Sequence, residues 1–244
     1  MGELDGRVAI VTGSSSGIGE AIARRYAAAG ASVLVNSSRS VDAGQAVAAS
    51  LPDAHYVQAD ISDEAQGRAL VAAALERWGR LDVLVNNAGT TQVIAHNNLD
   101  AAGLEVWQRL FEVNVFGTWL LSRAAVPALR EARGSIINIT SVAGVRPTGS
   151  SIPYAASKAA LNHLTRLLAN TLGPEVRVNA IAPGLVDTPW TADWEAAREK
   201  WRNNAPLRRS GQPDDVADVA MALATASFVT GEVIVVDGGY NLVS

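Results

Sequence analysis

The strongest constraint on the fold lies near the N-terminus. There an apolar run, Arg7-Val-Ala-Ile-Val-Thr12, is followed by Gly13-Ser-Ser-Ser-Gly17-Ile-Gly19 and then by Glu20-Ala-Ile-Ala-Arg-Arg-Tyr-Ala-Ala-Ala29, with Gly30 behind it. A short apolar run reads as a strand, and the alanine-rich stretch closed by glycine reads as a helix. Strand, glycine turn and helix in that order open a βα unit. Glycines permit a tight turn and a close approach of backbone to phosphate, and the first amides of the helix make an anion site. The turn therefore offers Gly13, Ser15, Ser16, Gly17, Ile18 and Gly19 to a dinucleotide pyrophosphate. Their spacing is Gly-x-x-x-Gly-x-Gly, which differs from the Gly-x-Gly-x-x-Gly of the general fingerprint.

The alternation continues along the chain, with strands expected near 7–12, 32–37, 55–59, 81–86, 134–140, 175–181 and 232–237 and helices between them. Continuous apolar runs such as Leu81-Asp-Val-Leu-Val85 suit strands buried on both faces. The expected architecture is α/β: a doubly wound, parallel, seven-stranded sheet of Rossmann type, with residues 1–244 forming a single dinucleotide-binding domain. One zone, from about Pro183 to Gln212, breaks the alternation. At 48% apolar and 5% aromatic, the 244-residue chain can bury one large core of small aliphatic side chains. A net charge of −4 without a basic face argues against nucleic acid as a partner, and zero cysteines remove disulfides and thiol catalysis. Three scattered histidines, at 55, 96 and 163, do not suggest a metal site. No apolar signal region and no membrane-length apolar stretch is seen, so cytoplasmic residence without membrane attachment is the expectation.

Chemistry enters with Tyr154 and Lys158, four residues apart in a helical segment, and with Ser141 at the end of the run Ser135-Ile-Ile-Asn-Ile-Thr140. Four residues is about one helical turn, so phenol and ammonium project from one face, and a strand ending at Ser141 can present its hydroxyl there. A free tyrosine titrates near pH ~10 and exchanges protons reluctantly at neutral pH. A fixed ammonium favours the phenolate, and lowering the phenol by about two to three units takes roughly 3–4 kcal/mol, which Lys158 and a cationic nicotinamide would share. Ser141 would hold a substrate oxygen against Tyr154.

Taken together and in order, Thr12-Gly13-Ser-Ser-Ser-Gly17-Ile-Gly19, Asn86-Asn87-Ala88-Gly89, Asn114, Ser141, Tyr154-x-x-x-Lys158, Pro183-Gly184 and Val236-Asp237-Gly238-Gly239 resemble the short-chain dehydrogenase/reductase family. The resemblance covers essentially the whole chain. It is strongest to the subgroup of roughly 250 residues that holds 3-oxoacyl-carrier-protein reductases and glucose dehydrogenases. It implies an oxidoreductase that moves hydride between nicotinamide and a ketone or secondary alcohol, with Asn114, Ser141, Tyr154 and Lys158 as catalytic residues. Asn114 would hold a water through its helix backbone and link Lys158 to solvent; its plainer reading is a buried asparagine at a helix bend. Asn87, Ala88 and Gly89 would line the adenosine ribose, Asp60 and Ile61 the adenine, and Pro183, Gly184, Val186 and Thr188 the nicotinamide end, with Tyr154 and Lys158 also touching the cofactor. The plainer reading of Asp60 is a residue that starts a helix. A homo-oligomer, tetramer or dimer, is also implied.

Cofactor choice rests on the end of the second strand, where an acidic residue would accept ribose hydroxyls and repel a 2′-phosphate. Ser37, Ser38 and Arg39 stand there instead, which favours NADP(H), with NAD(H) the alternative. Around 188–212 the resemblance implies a substrate lid. Trp190, Trp194 and Trp201, joined by Ala197, are spaced for one helical stripe that either roofs a small-molecule substrate or packs on protein. Arg198, Arg202, Arg208 and Arg209 could meet an anionic substrate or carrier, or lie in solvent. Residues 90–99 look like an insertion beside the pocket, and the stretch before the last strand looks short. Two other readings are a nucleotide-sensing regulator without turnover, which would not need all four catalytic residues, and a sugar-nucleotide epimerase, which would need more chain after Asp237.

Overall fold

The computed structural model describes residues 2–243. Seven strands, β1 (Val8–Val11), β2 (Ser32–Ser37), β3 (Ala54–Gln58), β4 (Val83–Asn86), β5 (Ser135–Ile139), β6 (Arg177–Pro183) and β7 (Val233–Val236), form one parallel sheet in the order β3-β2-β1-β4-β5-β6-β7. All seven expected strands are present. β6 runs on to Pro183, past its expected end, because pairing with β7 continues through Pro183 opposite Val236 and Gly184 N donates to Val236 O at 2.9 Å.

Eight helices connect the strands: α1 (Gly17–Ala28), α2 (Val41–Ala49), α3 (Glu64–Trp78), α4 (Leu104–Phe111), α5 (Thr118–Ala132), α6 (Ile152–Leu172), α7 (Glu195–Asn204) and α8 (Pro213–Thr225). The period-two alternation of strand side chains divides the core. Ala9, Val11, Val33 and Val35 face α1 and α8. Val8, Ile10 and Leu34 face α3 and α5 on the other side. Every residue of β1, β4 and β5 is buried, as expected of strands covered on both faces. Local chemistry fixes the helix ends. Asp63 caps α3 by accepting from Ala65 N and Gln66 N, Gly79 ends it in the left-handed region, and Ser151 caps α6 by accepting from Tyr154 N.

From β1 the chain winds outward to β3, then returns to the far side of β1 with β4. The order reverses between β1 and β4, and in such sheets ligands bind beyond the strands' carboxyl ends at that switch point. Gly13, Asp60, Asn87, Ser141 and Gly184 each follow a strand and Ser37 ends one, so all of them reach that one edge.

The segment from Thr188 to Gln212 leaves β6 and returns across a short parallel bridge, Val186 to Gly211, reinforced by Asp187 N to Gly211 O at 2.9 Å and Gly211 N to Leu185 O at 2.8 Å. The expected single tryptophan stripe is formed only in part: Trp194, which caps α7, packs with Ala197 and Trp201 in one cluster, while Trp190 stands apart in a one-turn 3-10 helix, Pro189–Thr191. Trp201 is buried, stacked on Tyr240 with ring centroids 3.7 Å apart, and donates to Asp237 O. Trp201 therefore packs on protein, and all three tryptophans also line the cleft at the carboxyl edge of the sheet. Trp190 is half exposed, and Trp194 packs at the edge of the Trp201 cluster.

Candidate active site

One cleft of about 1230 Å³ opens along the carboxyl edge of the sheet, larger than a single drug-sized ligand needs. Of the expected cofactor and catalytic residues, only Gly19 and Asn114 do not line it, each standing behind the wall.

At one end the turn after β1 is fixed by polar side chains rather than by packing. Ser14 Oγ donates to Val11 O at 2.6 Å and accepts from Asn36 N at 3.0 Å. Asn36 Oδ1 accepts from Gly13 N at 3.3 Å, while its amide donates to Val57 O and Ala59 O, so one residue ties β1, β2 and β3 together. Thr12 Oγ1 accepts from Asn87 N and Ala88 N, and Asn87 Nδ2 donates to Thr12 O and Gly13 O, which locks β4 to β1. The Ser16 hydroxyl makes no cap bond, leaving the first-turn amides of α1 to another acceptor. A Cβ on Gly19 would stand 2.4 Å from Gly13 O and 2.5 Å from Asn87 Nδ2, so this close approach of helix to turn requires glycine. The open amides and the glycine cradle suit a pyrophosphate. Gly19→Ala is expected to displace the turn, weakening dinucleotide binding at least about tenfold and lowering stability by about 1–3 kcal/mol; cofactor titration together with thermal unfolding checks both.

The end of β2 carries no acid. Ser37 Oγ donates to Ser40 O and lies 2.9 Å from the Tyr56 hydroxyl, and Ser38 and Arg39 are exposed. Among the described residues no carboxylate lies within ion-pair distance of Arg39. Asp60 does not start a helix. Asp63 caps α3, while Asp60 Oδ1 accepts from Ser62 N and Ser62 Oγ and the residue lines the cleft. Thr188 leans over the glycine turn, its Cγ2 3.1 Å from the place a Cβ on Gly17 would take.

At the floor stand Ser141, Tyr154 and Lys158. Ser141 is the residue before a 3-10 turn, Val142–Gly144, and its Oγ accepts from Ala143 N at 3.1 Å. Lys158 is buried, and its Nζ donates to Ile139 O at 3.0 Å and sits 5.8 Å from the Tyr154 ring centre. Burial pushes the ammonium down to about 8. It also pushes the Tyr154 phenol above its ordinary value, partly offset by the Ser141 hydroxyl. The lowering expected from Lys158 together with a cationic nicotinamide is not produced by Lys158 itself, because burial is the largest cause at both groups.

Asn114 occupies a π-helical stretch, Glu112–Gly117, between α4 and α5. Wide turns of this kind recur at functional sites. Its side chain is fully engaged, with Nδ2 donating to Thr90 O and Ser157 Oγ, both at 3.0 Å, and Oδ1 accepting from Thr90 N at 2.8 Å. Its carbonyl accepts from Thr118 Oγ1 at 3.0 Å, leaving one lone pair for another donor. Both readings of Asn114, helix irregularity and backbone acceptor beside Lys158, are compatible with this placement.

Sequence reasoning missed Asn36, Thr90 and Tyr240 as parts of the site. Asn36 and Thr90 act through partners 23 and 24 residues away, which no local pattern reports. The insertion gave a signal: Ile94 N donates to Ser150 O at 2.7 Å and Ile94 clusters with Val106, Leu110 and Tyr154, making one wall of the cleft. None of Arg198, Arg202, Arg208 and Arg209 lines the cleft. Arg198 pairs with Asp187 at 2.8 Å, Arg202 with Glu195, Arg209 with Asp215 at 2.6 Å, and Arg208 donates to Asn203 O, so none of them faces a ligand inside the cleft.

A family model described as enoyl-(acyl carrier protein) reductase matches residues 13–241. A protein of Streptomyces violaceoruber named for a ketoacyl reductase of granaticin polyketide synthase is 55% identical over 96% of this chain and 96% of its own length. The 3-oxoacyl-[acyl-carrier-protein] reductase of Thermotoga maritima is 38% identical, covering 97% of this chain and 98% of its own. A solved short-chain dehydrogenase/reductase from Brucella melitensis, titled a glucose/ribitol dehydrogenase, superposes with a TM-score of 0.92 at 34% identity over 98% of each chain.

Proposed function

The chain belongs to the short-chain dehydrogenase/reductase family of NAD(P)-dependent oxidoreductases, and we propose that within it the protein acts as a single-domain, NADP(H)-dependent carbonyl reductase, reversible as an alcohol dehydrogenase, with 3-oxoacyl thioesters as the favoured substrate class. The observation that carries the reading is the meeting of Ser141, Tyr154 and Lys158 on the floor of a cleft whose other end is the glycine turn. The names of the two similar reductases support a thioester over a sugar. The cleft's volume leaves room for a substrate beside a dinucleotide.

Gly13, Ser15, Ser16, Gly17, Ile18 and Gly19 would hold the pyrophosphate, Asn87, Ala88 and Gly89 the ribose, Asp60 and Ile61 the adenine, and Pro183, Gly184, Val186 and Thr188 the nicotinamide end. When bound, the nicotinamide supplies or removes the hydride at the carbonyl carbon. Ser141 donates a hydrogen bond that holds the substrate oxygen. Tyr154, whose proton is retained by burial, gives that proton to the same oxygen as charge develops on it. Lys158, anchored by Ile139 O, replenishes the proton, and Asn114 ties the junction of α4 and α5 to α6 through Ser157 and to the segment after β4 through Thr90. We further propose that the enzyme works as a homo-oligomer.

Ser37, Ser38 and Arg39 support the choice of NADP(H). A phosphate on Arg39 is a charge-assisted contact, and no acid repels it at the end of β2. Ser37→Asp is expected to shift the ratio of kcat/KM for NADPH over NADH by about 10–100-fold toward NADH. The functional test is oxidation of NADPH and NADH, followed by absorbance, across 3-oxoacyl thioesters, their 2-enoyl counterparts, diketones, sugars and bulky ketones. Turnover of 3-oxoacyl thioesters with NADPH is the expected result; turnover confined to the enoyl compounds, or none at all with cofactor bound, overturns the reading.

A further inference from the structure

The cleft has a neighbour. A second cavity of about 210 Å³ lies beside it, lined by Arg146, Pro147, Thr148, Lys200, Asn204, Tyr240 and Val243. Thr148, Lys200 and Tyr240 line both cavities, so they form the partition between them. Tyr240 is its bulkiest member and is buried. Its ring stacks on Trp201, and the Arg146 guanidinium sits 5.7 Å from its centre. Arg146 Nη1 donates to Tyr240 O and Val243 O, both at 2.9 Å, fastening this tail to the loop that follows Ser141. Trp201 in turn abuts Gly184, its Cζ2 3.0 Å from where a Cβ would sit. The ring is thus clamped from the catalytic loop on one side and from α7 on the other. The two sides of the partition differ in chemistry. Leu185, Trp194, Trp201 and Ile94 give the cleft apolar lining with Lys200 shared between the two cavities, while the second cavity adds Arg146 and carries no carboxylate among its described lining residues.

We infer that Tyr240 is a specificity-determining residue: its ring is the end wall of the substrate pocket, which limits chain length and keeps the substrate's tail out of the cationic cavity behind it. The inference rests on the carbonyl-reductase reading for the identity of the substrate, but the wall itself is a property of binding. Tyr240→Ala removes the ring and leaves the backbone carbonyl that Arg146 holds, so the two cavities join. Ligands extending beyond the wild-type limit then reach Arg146 and Lys200, and a terminal carboxylate there gains a charge-assisted partner.

The experiment measures Kd by calorimetry, with NADP⁺ present so that no reduction occurs, for 3-oxoacyl N-acetylcysteamine thioesters of increasing acyl length, each ending in methyl or in carboxylate. For the wild type, affinity rises with length and then stops. For Tyr240→Ala it keeps rising, by about tenfold for two or three further methylenes, and the long carboxylate-ended chains bind better than their methyl-ended counterparts. Tyr240→Phe, which keeps the ring, keeps the wild-type limit. Tyr240→Leu, which still packs on Trp201, shows a smaller gain in the same direction and covers the case in which the alanine variant does not fold. Adding Lys200→Gln to the alanine variant removes part of the carboxylate preference. A uniform weakening at every length, or an unchanged limit, overturns the inference and leaves Tyr240 as packing for Trp201. A wild type that binds this series with a length limit but reduces none of it would count against the proposed reaction and not against the wall.

Discussion

Tyr154→Phe is expected to reduce turnover of every carbonyl substrate by about 10²–10⁴-fold, the usual range for a lost general acid, while the Kd for NADPH changes little. The substitution is nearly isosteric and removes a single hydroxyl. The ring's contacts with the cluster of Ile94, Val106 and Leu110 remain, and the cap on α6 uses the Tyr154 backbone amide and Ser151 Oγ, which the variant retains. The cleft should therefore keep its shape and its cofactor, and the loss should fall on kcat. Since burial keeps the phenol protonated well above neutral pH, the wild type is poised for reduction, and oxidation of the alcohol should accelerate as pH rises toward the phenol's titration. Stopped-flow hydride transfer with a fluorescence titration of NADPH separates the two quantities. Near-normal turnover in the variant would mean that the proton comes from elsewhere.

The fold could be read from the chain because its signals are local. Most strands are short apolar runs, α3 and α6 start at side-chain caps, and strands buried on both faces need no long-range information to be recognised. The glycine turn was legible for the same reason, since strand, turn and helix follow one another within residues 8–28. What holds that turn in place was not legible: Asn36 reaches Gly13, Val57 and Ala59, and Asn87 reaches Thr12, across distances in sequence that only the sheet order sets. Of the tryptophans between β6 and α8, the spacing was right for Trp194 and Trp201, which share α7 and its cap, and wrong for Trp190, because a count of spacings assumes one continuous helix and Pro189 opens a separate 3-10 turn there. The arginines carry positive charge in their composition, but Asp187, Glu195 and Asp215 neutralise three of them, and those pairings follow from how the segment folds back on the end of β6. Cations that line the cleft include Arg109 and Lys200, residues that carry no motif.

Lys158→Met should abolish most activity and yet make the protein more stable at neutral pH. The Lys158 side chain is 4% exposed, has one hydrogen-bond partner, Ile139 O, and has no carboxylate paired with it among the described residues. Moving its titration from 10.5 in the unfolded chain to about 8 in the native one corresponds to about 3 kcal/mol of penalty for burying the charged form. Methionine fills a similar volume without the charge. It leaves the Ile139 carbonyl without its donor, a cost of about 1 kcal/mol, so a net gain of about 2 kcal/mol remains. The pH dependence gives the sign. Between pH 8 and 10.5 the unfolded chain holds the lysine proton and the native chain does not, so wild-type stability rises with pH through that window. Above the ordinary tyrosine value the buried phenol reverses the trend, since the native state then keeps a proton that the unfolded state loses. The variant lacks the rise and keeps the fall. Guanidinium unfolding of both proteins from pH 7 to 10 checks this: the stability curves should converge as the pH rises. A wild type that is the more stable protein at pH 7 would show that the ammonium is better solvated than its burial implies. Convergence would identify Lys158 as a charge held in the core at the expense of stability, which is expected where a group is kept for proton exchange and contributes nothing to packing.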